Sequence, residues 1–322
     1  MLLTSPSRSA LGAALRLVRR FKEKTGLVSG FSDMEMHLWM LADDVRAEAF
    51  ERAITRTVKP GDVVVDLGAG TGLLSLMACR AGAARVYAIE QSPVLELART
   101  VAAANGFSDR IVPMRGHSTA LSLPEPADVV VSETIGAFVF SEEILWTLAD
   151  ARTRFLKAGG ALIPRGVTIF LAPVESFEEG IGLLERPIRG FDFRPAAAGV
   201  AVGTMTAARR IRRRDFLAGE RPVYDVDFRT TAGRMDFDRS LEFTAEREGM
   251  VHGFAGFWSA SMCDGVELRC DPDGPPVHWP PLLFRLPAGL PVRAGDRIRL
   301  RFGKADRPGW SWAWTARVEP RL

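Results

Sequence analysis

The stretch Val63-Val64-Val65-Asp66-Leu67-Gly68-Ala69-Gly70-Thr71-Gly72 begins as an apolar run around one acid and ends in alternating glycines. The first half has the pattern of a buried strand. The second half is a turn opening a helix, where glycine takes φ values denied to other residues and lets the backbone approach a ligand. This glycine pattern alone serves dinucleotides and S-adenosylmethionine equally well. Two acids separate them. Asp66, just ahead of the turn, can engage a ligand amino group and would repel a pyrophosphate. Glu90 closes the next strand, RVYAIE, where a carboxylate can accept from both ribose hydroxyls. No second nucleotide-binding half follows residue 164, which argues against a dehydrogenase and for S-adenosylmethionine.

Upstream, residues 34–58 lack proline and glycine and space their apolar residues helically, so one amphipathic helix is expected, ended by Lys59-Pro60-Gly61. Downstream, helices near 72–81, 92–105 and 142–156 alternate with strands at RVYAIE, IVPMRG, ADVVVSE and after Gly159-Gly160, the pattern of an open, largely parallel sheet. After Pro164 come short runs such as VTIFLAPV, PVYDVDF, VHGFAGFW, PLLFRL and DRIRLRF separated by glycine and proline, which read as antiparallel β. Residues 180–205 read as an inserted arm. Trp310, Trp312 and Trp314 read as one face of a strand. The expected divisions are an N-terminal helical cap over 1–58, a cofactor domain over 59–164 and a second domain over 165–322 containing the arm.

A length of 322 residues fits two domains better than one core. No apolar run of about 18 residues occurs, which excludes a membrane-spanning helix, and the first 22 residues, acid-free but without a secretory core, read as part of the cap. The cytoplasm is the expected compartment. Cys79, Cys263 and Cys270 are too scattered for a disulfide framework or a zinc site, so no metal is expected. A net charge of +3 gives no reason to expect nucleic acid as a partner, and the run Arg209 to Arg214 reads as a solvated edge.

A second pair of acids stands where an acceptor would bind. Glu133 ends the strand ADVVVSE and Glu142 opens the following helix, with Glu143 beside it in solvent. The loop follows the carboxyl end of a sheet strand, where open α/β folds bind ligands. Two carboxylates held together repel unless a cation lies between them, and the planar guanidinium with its five donors suits that position. Two glutamates nine apart are common on surfaces, so their weight comes from the combination with the cofactor signature.

From about residue 30 to 320 the chain resembles the protein arginine methyltransferase family, on motifs that occur in order. His37, Met40-Leu41, Asp43 and Val45-Arg46 look like its cofactor-capping helix, VVDLGAGTGLLS its glycine loop, Val86 to Glu90 its ribose-binding strand, and Glu133 to Glu142 its double-glutamate loop. Ala158-Gly159-Gly160 to Ile163-Pro164 looks like the link into its β-barrel, and Val277-His278-Trp279 is similar to its Thr-His-Trp motif. The resemblance implies a Rossmann-type class I methyltransferase domain followed by an antiparallel barrel-like domain with a dimerisation arm, hence a homodimer.

The resemblance also implies that Arg46, Asp66, Gly68, Gly70 and Glu90 bind S-adenosylmethionine, with Thr119 at the position facing the adenine amino group. It implies that Glu133 and Glu142 hold the acceptor guanidinium, that Met40 lines the methyl-transfer pocket, and that His278 pairs with Asp43. The chain departs from the family around the acceptor. Leu27 and Phe31 replace tyrosines, Trp39 an acid, Thr119 a glutamate, and Thr134-Ile135-Gly136-Ala137 a Trp-Met-Gly-Tyr sequence. Phe31, Trp39, Met40 and Trp279 are therefore the expected pocket walls. The acceptor is expected to be free L-arginine or arginine in a peptide or protein. Another guanidino or amine metabolite, or a non-catalytic S-adenosylmethionine-binding role, stands as the alternative. Glu142, or His278 acting with Asp43, is the candidate acceptor of the proton lost on transfer.

Overall fold

The computed structural model describes residues 34–136, 138–139, 142–175, 187–195, 205–207, 211–233, 236–304 and 312–321. Leu27, Phe31, Ala137, Arg209, Arg210, Trp310, the first 22 residues and most of the expected arm lie outside the described residues.

Strand β1 (Val63–Leu67) is buried at every position, as a strand covered on both faces must be. It pairs in parallel with β2 (Arg85–Glu90) on one side and β4 (Ala127–Ser132) on the other. With β3 (Ile111–Arg115) and β5 (Leu156–Ile163) it builds a parallel sheet in the order β3-β2-β1-β4-β5. The chain works outward from β1 to β3 and then returns to β4, so the order reverses between β1 and β4. That reversal opens a crevice beyond their carboxyl ends.

Helix α3 (Leu73–Ala81) starts after Gly72 at φ +84° and ends on Gly82 at φ +115°, the left-handed terminal residue that glycine tolerates best. Helix α4 (Leu95–Ala104) and, after the loop that follows β4, α5 (Ile144–Arg154) complete this half, each slightly shorter than its periodicity suggests.

The expected single helix over 34–58 is two helices, α1 (Met34–Leu41) and α2 (Asp44–Thr57). The break falls at Asp43, whose side chain accepts from the Arg46 amide at 3.0 Å and caps α2. Aspartate is among the strongest N-caps, and apolar periodicity passes over such a stop unmarked. Helix α2 buries Phe50, Ala53 and Ile54, packing against α3 and β5 on one side and against strands of the second half on the other. It is thus a wedge between the two halves as well as a cap.

The second half is antiparallel. Strands β6 (Gly166–Val174), β7 (Met205–Ala207), β8 (Arg221–Asp227), β10 (Gly249–Cys263), β11 (Val266–Cys270) and β12 (Leu282–Val292) form one sheet, and β9 (Phe237–Thr244), β13 (Arg297–Lys304) and β14 (Trp312–Glu319) a second. The long β10 holds β6 on one edge, and β12 then β11 on the other. The two sheets meet through aromatic contacts. Trp312 and Trp314, two apart on β14, both lie against Phe284, with ring centroids 5.9 and 5.2 Å away. Of the basic run, Arg213 is committed to the fold, bonding to Glu220 and Asp271. Among the described residues, no helix is long and apolar enough to cross a membrane.

Candidate active site

The glycine turn sits on the first lip of the crevice. Gly68 and Ala69 both donate to the Ile89 carbonyl, at 2.9 and 3.0 Å, which ties the turn to β2. Gly68 and Gly70 have φ of +72° and +53°. A Cβ at Gly68 would lie 2.8 Å from Thr134 Cγ2, and one at Gly70 3.3 Å from His37 Cε1, so glycine is required here for backbone shape and for space.

Glu90 accepts from the Gly70 amide (3.1 Å) through one oxygen and from the Ser92 amide (2.6 Å) through the other. These bonds fix the plane of the carboxylate and leave acceptor capacity on both oxygens.

Asp66 is fully buried beneath the turn. One oxygen accepts from Ser75 Oγ at 2.6 Å, while Oδ1 has no hydrogen-bond partner, and burial raises its pKa to about 6. Thr119 lies in a short 3-10 turn beyond β3, its hydroxyl 2.7 Å from His117 Nδ1.

The second lip is the loop that follows β4. Ser132 Oγ donates to the Leu67 carbonyl and lies 2.9 Å from Thr134 Oγ1, locking the end of β4 to the end of β1. Glu133 is buried and forms an ion pair with Arg46 (Nη1 to Oε2, 2.9 Å). Burial pushes the Glu133 carboxyl upward; Arg46 opposes it, and Glu142, Asp43 and Asp66 add to it. Glu142 makes no hydrogen bond or ion pair among the described residues, and desolvation alone lifts it to about 7.

Between the two acids the backbone is strained, with Val139 at φ +63°, where a β-branched side chain costs about 1–3 kcal/mol. The neighbouring Phe138 is fully buried and holds the loop down, 5.1 Å from Phe284 and 5.2 Å from Trp312.

The third contribution comes from the antiparallel half. The His278 amide and Nδ1 both lie 2.8 Å from Asp43 Oδ2, the same carboxylate that caps α2. Burial lowers the His278 pKa more than Asp43 raises it. The neutral ring donates from Nδ1 to Asp43 and keeps an acceptor lone pair at Nε2.

Arg46 connects everything: its amide is held by Asp43, Nη1 by Glu133 and Nη2 by the Met40 carbonyl, while its buried Nε has no partner. Such a donor costs about 1–3 kcal/mol unless something fills the gap. A carboxylate-bearing ligand fits it, and the nearby glycine cradle and the Glu90 oxygens fit a nucleoside.

Among the other expected pocket residues, Met40 is half-buried and Trp39 is 68% exposed on α1. Trp279 is buried against Trp258 at 5.0 Å, beneath the His278 ring, and so supports the histidine from below. Ser75, Ser132 and Phe138 had no sequence signal beyond a polar residue in an apolar helix face or an aromatic inside a loop. A concave surface of about 710 Å³ lies elsewhere, between β6, β8, β10 and β11. Its Thr168–Asp225 and Arg229–Asp227 side chains bond to each other, so the chemistry rather than the volume locates the site.

Comparisons with known proteins bear on both halves. Residues 50–169 match the family model described as Ribosomal protein L11 methyltransferase (PrmA), a match confined to the parallel half and its exit. The chain is 33% identical over 276 residues to an Arginine N(omega)-methyltransferase of Streptomyces achromogenes subsp. streptozoticus, covering 84% of this chain and 76% of that protein. It is 32% identical over 279 residues to Protein arginine N-methyltransferase 1 of Schizosaccharomyces pombe, covering 84% and 81%. In structure it is similar to a chain of the Trypanosoma brucei PRMT1 enzyme-prozyme heterotetrameric complex with AdoHcy. The TM-score there is 0.82 at 24% identity, over 91% of this chain and 96% of that one. It is also similar to Arabidopsis thaliana Protein Arginine Methyltransferase 10, with TM-score 0.78 at 22% identity, over 90% and 94%.

Proposed function

The chain belongs to the arginine N-methyltransferase family, and from that premise we propose how its own residues transfer a methyl group from S-adenosylmethionine to an arginine guanidinium. When bound, S-adenosylmethionine supplies a sulfonium-borne methyl electrophile. Glu90 would hold the ribose, the Gly68 to Gly72 backbone would pass close to the amino-acid part, and the open Nε of Arg46 would receive its carboxylate. Asp66 would act from below by keeping the turn in shape through Ser75.

Glu133 and Glu142 would grip the acceptor from the second lip. Guanidinium is a poor nucleophile with a pKa above about 12, so it cannot be deprotonated cheaply beforehand. Two carboxylates can orient it and draw its positive charge away from the attacking nitrogen. The observation that carries this reading is Glu142. It is a half-buried carboxylate that bonds to nothing among the described residues, close enough to Glu133 to raise its pKa.

With a pKa near 7, Glu142 also suits the role of proton acceptor better than His278, whose basicity is lowered. His278 and Asp43 would position the start of α2, and with it Arg46. The arm over 180–205, with Phe191 and Phe193 exposed in its described part, is proposed to bind a second copy of the chain, and the cytoplasm is the proposed compartment.

The test is incubation with labelled S-adenosylmethionine and, separately, free L-arginine and an arginine-containing peptide. Label on a guanidino nitrogen of either identifies the acceptor class; label on neither, with intact cofactor binding, would overturn the guanidinium reading.

A further inference from the structure

The two ligand sites share one cation. Arg46 spends Nη1 on Glu133 Oε2, at 2.9 Å with both side chains almost fully buried, and keeps Nε without a partner. Glu133 has two oxygens, and a planar guanidinium is gripped best when a carboxylate offers both. While Arg46 holds one of them, an incoming acceptor guanidinium meets a partly neutralised, half-occupied carboxylate. A second carboxylate arriving at Nε competes for the same positive charge and loosens that hold. From this geometry we infer that Arg46 couples the sites: the carboxylate of the cofactor draws Arg46 toward itself and makes Glu133 available, so that the acceptor binds tightly only after the cofactor.

Linkage makes the effect reciprocal, so a bound acceptor tightens the cofactor by the same factor. The inference rests on the acceptor reading above. Arg46 acts in it as a positioning residue, through Glu133. Asp43 holds the Arg46 amide and fixes where the guanidinium can swing, which confines the competition to Glu133 on one side and the cofactor carboxylate on the other.

Calorimetric titration of the full chain with the acceptor at mildly alkaline pH tests this under three conditions: alone, saturated with S-adenosylhomocysteine, and saturated with 5′-methylthioadenosine. The last keeps the nucleoside thioether and lacks the amino-acid carboxylate. S-adenosylhomocysteine is expected to tighten acceptor binding about 10-fold or more, within the usual range of such couplings, and 5′-methylthioadenosine less than about 2-fold. In Arg46→Gln, titrated at saturating S-adenosylhomocysteine, the enhancement should collapse to about 2-fold or less.

Equal enhancement by both nucleosides, no enhancement by either, or full enhancement in Arg46→Gln would each overturn the coupling. An acceptor that fails to bind even with S-adenosylhomocysteine present would overturn the acceptor reading and this inference with it. The wild-type comparison decides the matter on its own should the variant fail to fold.

Discussion

The two lips of the crevice are built on different principles. The cofactor lip is local. Asp66, the three glycines, Ser75, Glu90 and Ser92 fall within thirty residues, and nearly every polar group is bonded to backbone or to a side chain of the same stretch. The acceptor lip is assembled from remote pieces. Asp43 comes from the start of α2, Glu133 and Glu142 from a strained loop pinned by Phe138 under the barrel-like half, and His278 from beyond β11. The first lip is preorganised by its local bonds, although buried Asp66 keeps one unpaired oxygen and a raised pKa. The second brings together buried Glu133 and half-buried Glu142, both with raised pKa values, an electrostatic demand that a cation would relieve.

The largest expected effects would sharpen this contrast. Glu142→Gln should lower turnover by about 10²–10³, the usual cost of losing one preorganised charge, while S-adenosylhomocysteine affinity changes little. Glu90→Ala should do the reverse, weakening S-adenosylhomocysteine by about 10-fold or more as the ribose and the turn lose a shared acceptor. Single-turnover kinetics and calorimetry on both variants check the pair. If Glu142→Gln lost cofactor affinity as severely as Glu90→Ala, the lips would not be separate.

Phe138→Ala should destabilise the fold by about 3–5 kcal/mol, read by denaturant unfolding, because it empties a fully buried site between the halves. It should also reduce turnover in the protein that remains folded, since the two glutamates flank it. Loss of stability with unchanged turnover would mean the loop holds its shape without the barrel-like half.

The smallest expected effect is in pH dependence, where the two lips and the fold pull in opposite directions. Asp66, Glu133 and Glu142 bind protons more tightly in the folded state than in the unfolded chain, so their contribution to stability is present below their ordinary values and is lost as pH rises through about 6, 8 and 7 respectively. His278 works the other way, because its lowered pKa costs stability as pH falls below 6.5 and costs none above it, but it is one group against three. Between about pH 5 and 8, Tm should therefore fall modestly while turnover rises with ionisation of Glu142. Calorimetric scans across that range, with Glu142→Gln showing a flatter profile, check the sign.

The glycine turn, Glu90, the strand-helix alternation and the change to antiparallel β after Pro164 were legible in the sequence because each is a short-range pattern of backbone need. Helix α2 was legible too, but its start was not, since the Asp43 cap is one residue inside an unbroken apolar period. Trp39 and Trp279 show the same limit. A motif names them as pocket walls, while packing leaves one in solvent and buries the other against Trp258.

The sequence by itself determined the cofactor lip, because its residues are neighbours along the chain and its geometry follows from the turn that the glycines permit. The Asp43–His278 pair, across 235 positions, was legible only through the family resemblance and not from any local pattern, and only the tertiary structure decided that Arg46 faces Glu133 and that Phe138 anchors the loop. Contacts between distant segments depend on how the halves pack around α2, and charge pairing in that buried seam is set by distance and desolvation, which no local pattern records.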